Sequence, residues 1–166
     1  MNSIQIQSQS KKKMILLKTV TPDNVIEVIK LSKTLDDVQQ KQVAPNEISL
    51  AQAYAEGDNA FVRAIYHDDT LVGFVQLKKA LHDVIEEDKP VSYIWRFMIA
   101  KDHQHKGYGT EAIKHIIEIE KQRGIKTLYV SVVPTNDMPK VFYEACGFIN
   151  TGEIVYEELL LKMRLN

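Results

Sequence analysis

The sequence predicts a single α/β domain, a mixed sheet with helices packed on both of its faces. Three observations carry that expectation. The stretch from Tyr93 to Gly124 reads as strand, glycine loop and helix. A near-continuous apolar run (Tyr93, Ile94, Trp95, Phe97, Met98, Ile99) is followed by Gly107 and Gly109, then by Ala112, Ile113, Ile116, Ile117 and Ile119 at helical spacing, with Gly124 closing the helix. The whole chain runs strand, helices, three strands, helix, strand, helix, two strands, without an internal repeat or a linker. Finally, 166 residues, 45% hydrophobic and 26% charged, suit one domain with a substantial core.

Residues 1–13 are rich in Gln, Ser and Lys and read as a flexible N-terminal tail, so the folded domain is expected over residues 14–166. Met14 to Val20 is a plausible first strand. Thr21-Pro22 then starts a helix, with Thr as cap and Pro where no N–H partner is required. Val25, Ile26, Val28, Ile29 and Leu31 are expected to face the core. From Thr34 to Ala60 the pattern is helical but interrupted, with Asp36-Asp37, a breaker at Pro45-Asn46, and a helical piece from Ser49 to Glu56 ended by Gly57.

Phe61 to Tyr66 and Thr70 to Lys78 form a hairpin across His67-Asp68-Asp69. Leu81 to Pro90 is a polar loop containing Asp83, Glu86, Glu87 and Asp88. After the strand–loop–helix unit, Thr127 to Val133 is another strand. Asn136 to Gly147 is a short helix with Pro139 tolerated in its first turn. Phe148 to Gly152 and Tyr156 to Met163 are closing strands.

The totals exclude some function classes. A formal net charge of −1 gives no global electrostatic case for nucleic acid or an anionic membrane surface. No apolar run approaches the ~20 residues of a membrane span. The single Cys146 excludes an intrachain disulfide and fits a reducing compartment, and no signal-peptide pattern follows Lys11-Lys12-Lys13, so a cytoplasmic location is expected. His103 and His105 have no Cys/His cluster around them, so no metal site is expected. The glycine loop is the informative feature. Bare backbone N–H groups at a helix N-terminus suit an anion, here hypothesised to be a pyrophosphate.

These residues resemble the GCN5-related N-acetyltransferase (GNAT) superfamily. Its motif Q/R-x-x-G-x-G/A stands here as Gln104-His105-Lys106-Gly107-Tyr108-Gly109, after a strand and opening a helix. A second family feature, a Tyr in a short helix followed by a G-F pair, stands as Y-E-A-C-G-F from Tyr143 to Phe148, with Asn136 at the start of that helix. The resemblance covers residues 14–165. W-R-F-M-I at Trp95–Ile99 and N-E-I-S-L-A-Q-A at Asn46–Ala53 resemble the bacterial spermine/spermidine acetyltransferase branch.

The resemblance implies a mostly antiparallel sheet of six to seven strands with a splayed central pair, and acetyl-coenzyme A as donor. It implies that backbone groups at Phe97, Met98 and Ile99 pair with the pantetheine arm. Gln104, His105, Lys106, Gly107, Tyr108, Gly109 and Thr110 would hold the diphosphate, with Asn136, Lys140 and Tyr143 also against the cofactor. Tyr143 would protonate the departing thiolate; helical phase alone makes it a core residue beside Phe142. Unperturbed pKa values of ~10 for Tyr and ~8.5 for Cys leave that transfer uphill, so a helix N-terminus and local hydrogen bonds would have to tune it.

The acceptor is expected to be a small primary amine, with a polyamine as first candidate. Asp36, Asp37, Glu47, Glu56 and the Asp83–Asp88 loop offer carboxylates, and Tyr54, Tyr93 and Trp95 offer aromatic faces. Each of these acids also reads simply as a solvated surface charge. An alkylamine is the free base on the order of one part in 2,500 at pH 7, a barrier of roughly 4–5 kcal/mol. Many relatives place a Glu in the strand before the glycine loop; here it holds Trp95 and Arg96, so the base is left open between a strand-held water and an acid from Asp36 to Glu56. Cys146, with no His placed to activate it, reads as a small buried residue. Two rival readings remain: another acceptor (an aminoglycoside-like amine, an amino acid, or a protein N-terminus or lysine), and an acyl-coenzyme A sensor with weak catalysis. Glu157 to Met163 is a candidate edge for a homodimer.

Overall fold

A computed structural model describes residues 14–79 and 86–166; the expected tail at 1–13 and Asp83 lie outside the described residues. The elements run β1 (Ile15–Lys18), α1 (Val25–Leu31), α2 (Asp37–Gln40), α3 (Asn46–Glu56), β2 (Ala60–His67), β3 (Thr70–Lys78), β4 (Val91–Ile99), α4 (Tyr108–Gln122), β5 (Thr127–Val132), α5 (Asp137–Ala145), β6 (Ile149–Val155) and β7 (Glu158–Arg164). Seven strands form one sheet in the order β1-β2-β3-β4-β5-β7-β6. Only β4 and β5 pair in parallel; every other neighbouring pair is antiparallel. The expected mixed, mostly antiparallel sheet is therefore present.

Helices cover both faces. On one, Ala112, Ile113 and Ile116 of α4 and Tyr143 of α5 bury against Ile65, Val75, Leu77, Ile94 and Leu128. On the other, Val28 of α1 packs on Ala64, Phe74 and Met98, with Leu50 of α3 alongside. Burying an Ile or Leu is worth ~1.5–3 kcal/mol, so the sheet's two faces supply the main driving force. The core phase of α4 ends on Glu120, fully buried and paired with Arg123 at 2.7 Å. Ile119, expected in that stripe, is only half-buried.

Some local expectations are corrected. Thr21 does not cap α1; Asn24 occupies the cap position, its side-chain oxygen accepting from Thr21 N–H at 2.8 Å. Ile26 is 58% exposed because it lies on the outer side of the short α1. The breaker at Pro45-Asn46 is the start of α3. Asn46 is buried there, its backbone N–H donating to Ser32 Oγ (3.0 Å) and its side chain donating to Val28 O (2.7 Å), which ties α1 to α3. The stretch Glu157–Met163 cannot offer a free edge, because β7 lies between β5 and β6.

Gly73 was not singled out by the sequence, yet it sets the approach of β3 to β4. It sits opposite Ile99, and a Cβ there would meet the Met98 carbonyl oxygen at 2.5 Å and Ile99 Cδ1 at 2.8 Å. Backbone cannot yield cheaply, so Gly73→Ala is expected to destabilise the protein by about 2–3 kcal/mol in urea unfolding. A change below about 0.5 kcal/mol, the size of an ordinary surface substitution, would contradict this packing.

Candidate active site

The site begins where two central strands part. β4 pairs with β5 only from Val91↔Thr127 to Ile94↔Val130, although both strands continue. Against β3, Gln76 faces Arg96 while Leu77 faces Ile94, so Trp95 is the extra residue of a bulge. The bulge falls where pairing with β5 stops. Ala100 N–H donates to Val72 O at 2.8 Å, which turns the even-numbered backbone groups of this stretch toward β3. Strand alternation then turns those of Phe97 and Ile99 toward the gap. The Ile99 carbonyl is held by Gln104 Nε2 at 2.9 Å. Phe97 and Ile99 thus offer the strand-like edge expected of them, whereas Met98 directs its N–H and C=O at β3 and its side chain into the opposite core cluster.

The glycine loop follows. Gln104 N–H donates to Lys101 O and Glu111 N–H to Gly107 O; the N–H groups from His105 to Thr110 have no acceptor among the described residues. His105 (φ 59°) and Gly107 (φ 80°) are both left-handed, a curl that gathers these donors at the N-terminus of α4. The two glycines have different reasons to be there. A Cβ on Gly107 would meet open space, so this position can admit a ligand. A Cβ on Gly109 would meet the Phe142 ring at 3.3 Å, so Gly109 lets α4 pack against α5 instead of clearing the diphosphate's path. The Tyr108 ring is stacked on His67, centroids 4.4 Å apart. Lys106 turns back to the Asp102 carbonyl (2.8 Å), and Lys140 lies 3.7 Å from Glu144 on its own helix, so neither lysine lines the gap.

α5 places Tyr143. Asn136 caps the helix, its side-chain oxygen accepting from Met138 N–H at 3.0 Å. At the other end Gly147 N–H bonds Glu144 O and Phe148 N–H bonds Tyr143 O, a Schellman closure with its apolar contact formed by Tyr143 and Phe148, ring centroids 5.5 Å apart. The Y-x-x-x-G-F spacing is therefore the way this helix stops. Tyr143 is 6% exposed, its hydroxyl has no hydrogen-bond partner among the described residues, and burial pushes the phenol pKa well above its usual range, with Cys146 and Tyr93 adding to the effect. Tyr143 sits in the last turn of α5, away from that helix's own N-terminus. The raised pKa keeps Tyr143 protonated near neutral pH but also makes it a weaker proton donor to a thiolate, the opposite of the tuning expected from the sequence. Burial also pushes the Cys146 thiol up, in keeping with an unreactive residue.

A cavity of about 640 Å³ joins the gap, the glycine loop and α2, and Tyr143 lines it. Of the expected acceptor residues, Asp36 and Trp95 line it. Asp36 is engaged twice, accepting from Gln39 N–H at 3.0 Å to cap α2 and pairing with Lys101 at 2.8 Å; the Lys101 hydrogen bond holds its pKa below the usual carboxylate value. The other expected acceptor residues among those described do not line the cavity. Asp37 is exposed on the first turn of α2, and Glu47 is half-buried in the first turn of α3. Glu56 pairs with Lys78 at 2.5 Å, Tyr54 is 92% exposed, and Tyr93 hydrogen-bonds Ser131 beneath the fork. Asp88 is buried as a strand anchor, meeting Lys162 at 3.0 Å and Arg164 at 2.9 Å. Among the described residues no cluster of His, Cys, Asp and Glu suits a metal, and no helix is long and apolar enough to cross a membrane.

Sequence reasoning missed Glu158, which lines the cavity from the start of β7. Its carboxylate accepts from Ser131, which in turn is hydrogen-bonded to Tyr93. Arg96 lines the same wall; burial pulls its guanidinium pKa down, opposed by Tyr93 and Glu158. The available signal was weak, an acid beginning a strand after a tight turn.

The unpaired N–H groups from His105 to Thr110, the open space at Gly107 and the free edge of Phe97 and Ile99 fit a diphosphate on an extended arm, the shape of coenzyme A. Known proteins agree. The sequence model of the acetyltransferase (GNAT) family matches residues 28–148. A probable spermine N(1)-acetyltransferase of Bacillus subtilis subsp. natto is 26% identical over 159 residues, covering 89% of this chain and 97% of that protein. In fold, the chain is similar to a Bacillus subtilis acetyltransferase solved with coenzyme A (TM-score 0.66, 18% identity, 93% of this chain and 100% of that one). It is also similar to the spermidine N-acetyltransferase of Vibrio cholerae solved with coenzyme A and spermine (TM-score 0.67, 14% identity, 92% and 96%). With the family's sequence pattern resting on a parted strand pair and an anion-ready loop, the chain belongs to the GNAT family of acetyltransferases, which take acetyl-coenzyme A as acetyl donor.

Proposed function

We propose that the protein N-acetylates a small primary amine by direct transfer within a ternary complex, with a polyamine such as spermidine or spermine as the first candidate acceptor. One observation carries the reading of a small amine. The cavity that meets the parted strands is also lined by Tyr143, Asp36 and Glu158. The polyamine choice is supported by the likeness to a probable spermine N(1)-acetyltransferase. The cytoplasmic setting expected from the single Cys146 suits such a substrate.

Bound acetyl-coenzyme A supplies an activated acyl thioester. The backbone of Phe97 and Ile99 would hold the arm, and the amides from His105 to Thr110 would hold the diphosphate. Tyr143, buried and protonated, would give its proton to the departing sulfur. Trp95, which lines the cavity, already has Lys78 4.8 Å and Arg96 5.0 Å from its ring centroid, so it would meet an acceptor by packing and not as a free cation–π face.

A second reading has its own observation. Arg96 and Lys101 line the cavity together with Asp36 and Glu158, and Asp36 is already paired. That balance suits an acceptor bearing one amine and a carboxylate, such as an amino acid, better than one bearing several ammonium groups. A panel of amines decides between them: spermidine and spermine are expected to give the highest kcat/KM, and absence of turnover with both, alongside turnover of an amino acid or aminoglycoside, would replace the polyamine reading. Tyr143→Phe is expected to lower kcat about 100-fold or more, the scale of a lost general acid, while leaving acetyl-coenzyme A affinity by calorimetry within about threefold. Unchanged kcat would remove Tyr143 from the chemistry.

A further inference from the structure

We propose that Glu158 is the base that takes the proton from the acceptor ammonium, with Ser131 and Tyr93 positioning its carboxylate; this assignment rests on the amine-acetyltransferase reading above. Position is the first argument. Ser131 is the residue of β5 immediately after Val130, the last to pair with β4, so the Ser131–Glu158 contact sits in the fork itself. Chemistry is the second. Ser131 donates to Glu158 Oε2, and Tyr93 and Ser131 share the next hydrogen bond, so a chain of hydroxyls ends on this carboxylate and fixes its orientation. Glu158 lines the cavity, and its Oε1 has no hydrogen-bond partner among the described residues.

Elimination is the third argument. Tyr143 is held protonated and cannot be the base. Asp36 spends one oxygen on Gln39 N–H and the other on Lys101. Among the described residues, Glu158 is the remaining carboxylate of the cavity. The backbone also singles it out. The β6–β7 hairpin turns on Tyr156 (φ 51°) and Glu157 (φ 65°), both left-handed, where such turns ordinarily use Asn and Gly. That strained turn delivers Glu158 as the first residue of β7. The groups facing Glu158 are Tyr93 and Arg96 from β4 and Ser131 from β5. Arg96, making no ion pair among the described residues, is the cation that offsets its charge.

The protons balance. Glu158 takes one proton from the ammonium and passes it to solvent, freeing the nitrogen lone pair for attack. The C–N bond forms, and the C–S bond breaks with its electron pair going to sulfur. Sulfur takes the Tyr143 proton, and the nitrogen's second proton restores the phenol.

The test compares the parent with Glu158→Gln, using the best amine of the panel, across pH 7 to about 10, the pKa region of alkylamines. The expected result is a fall in kcat of about 100-fold or more at pH 7 that shrinks as pH rises and the amine becomes its own free base. Two readouts independent of turnover accompany it. Acetyl-coenzyme A affinity should stay within about threefold, and amine affinity for the coenzyme A complex should fall by less than about tenfold. Unchanged kcat, a loss of amine affinity with kcat intact, or a kcat deficit that does not shrink with pH overturns the assignment. If Glu158→Gln fails to bind acetyl-coenzyme A, Ser131→Ala is read instead, and a pH-rescued loss of kcat is again required. A parent that turns over no amine overturns the amine reading and this assignment together; a parent that turns over amines beside an equally active variant overturns this assignment alone.

Discussion

The structure depends on one interruption. β4 and β5 stay paired for the length of Val91–Ile94 and then part, while β3 continues to hold β4 through Ile99 and β7 continues to hold β5 through Val132. A parallel pair that parts inside a sheet leaves backbone donors and acceptors without partners, at a cost of the order of 1–3 kcal/mol for each one buried. The protein contains that cost in three ways. The bulge at Trp95 redirects the strand, the Trp95 and Ile99 carbonyls receive side-chain donors from Arg96 and Gln104, and the remaining edge opens on a cavity. A ligand with amide groups along an extended arm would complete what the sheet leaves open.

The elements around the fork divide the work. Loop and N-terminus of α4 offer amides to an anion, and the C-terminal turn of α5 holds a protonated phenol. β7 contributes a carboxylate on the opposite wall. α2 is fastened to the cofactor loop through Gln39 and Gln104, whose side-chain amides bond each other at 3.0 and 3.2 Å, and through Asp36 and Lys101. Gln104 therefore joins three things: the end of β4, the glycine loop and the segment over the acceptor side. Its place at the head of the motif has a structural use beside any contact with a diphosphate.

Fold class, sheet composition and the strand–loop–helix unit were legible because each rests on local pattern. Periodicity sets α4, and a Pro-free apolar run sets β4. The cofactor side was legible because a glycine loop and a helix start are adjacent in the chain. The acceptor side was not. Asp36, Asp37, Glu47 and Glu56 have the right chemistry, but whether they converge is decided by α1, α2 and α3 packing, and only Asp36 of these four lines the cavity. Glu158 was invisible for the complementary reason: its partners Ser131 and Tyr93 are 27 and 65 positions away along the chain and meet it only through the register of β4, β5 and β7. Gly109 shows the same limit, since the motif gives its position but only the packing of Phe142 gives its reason.

Amide hydrogen exchange with and without acetyl-coenzyme A reports whether the parted strands and the glycine loop receive the donor. New protection is expected at Phe97, at Ile99 and from His105 to Thr110, where the N–H groups lack partners, and little change at Met98, whose N–H already faces β3. Tight acetyl-coenzyme A binding that protects another surface and leaves those amides exchanging as before would contradict that placement of the donor.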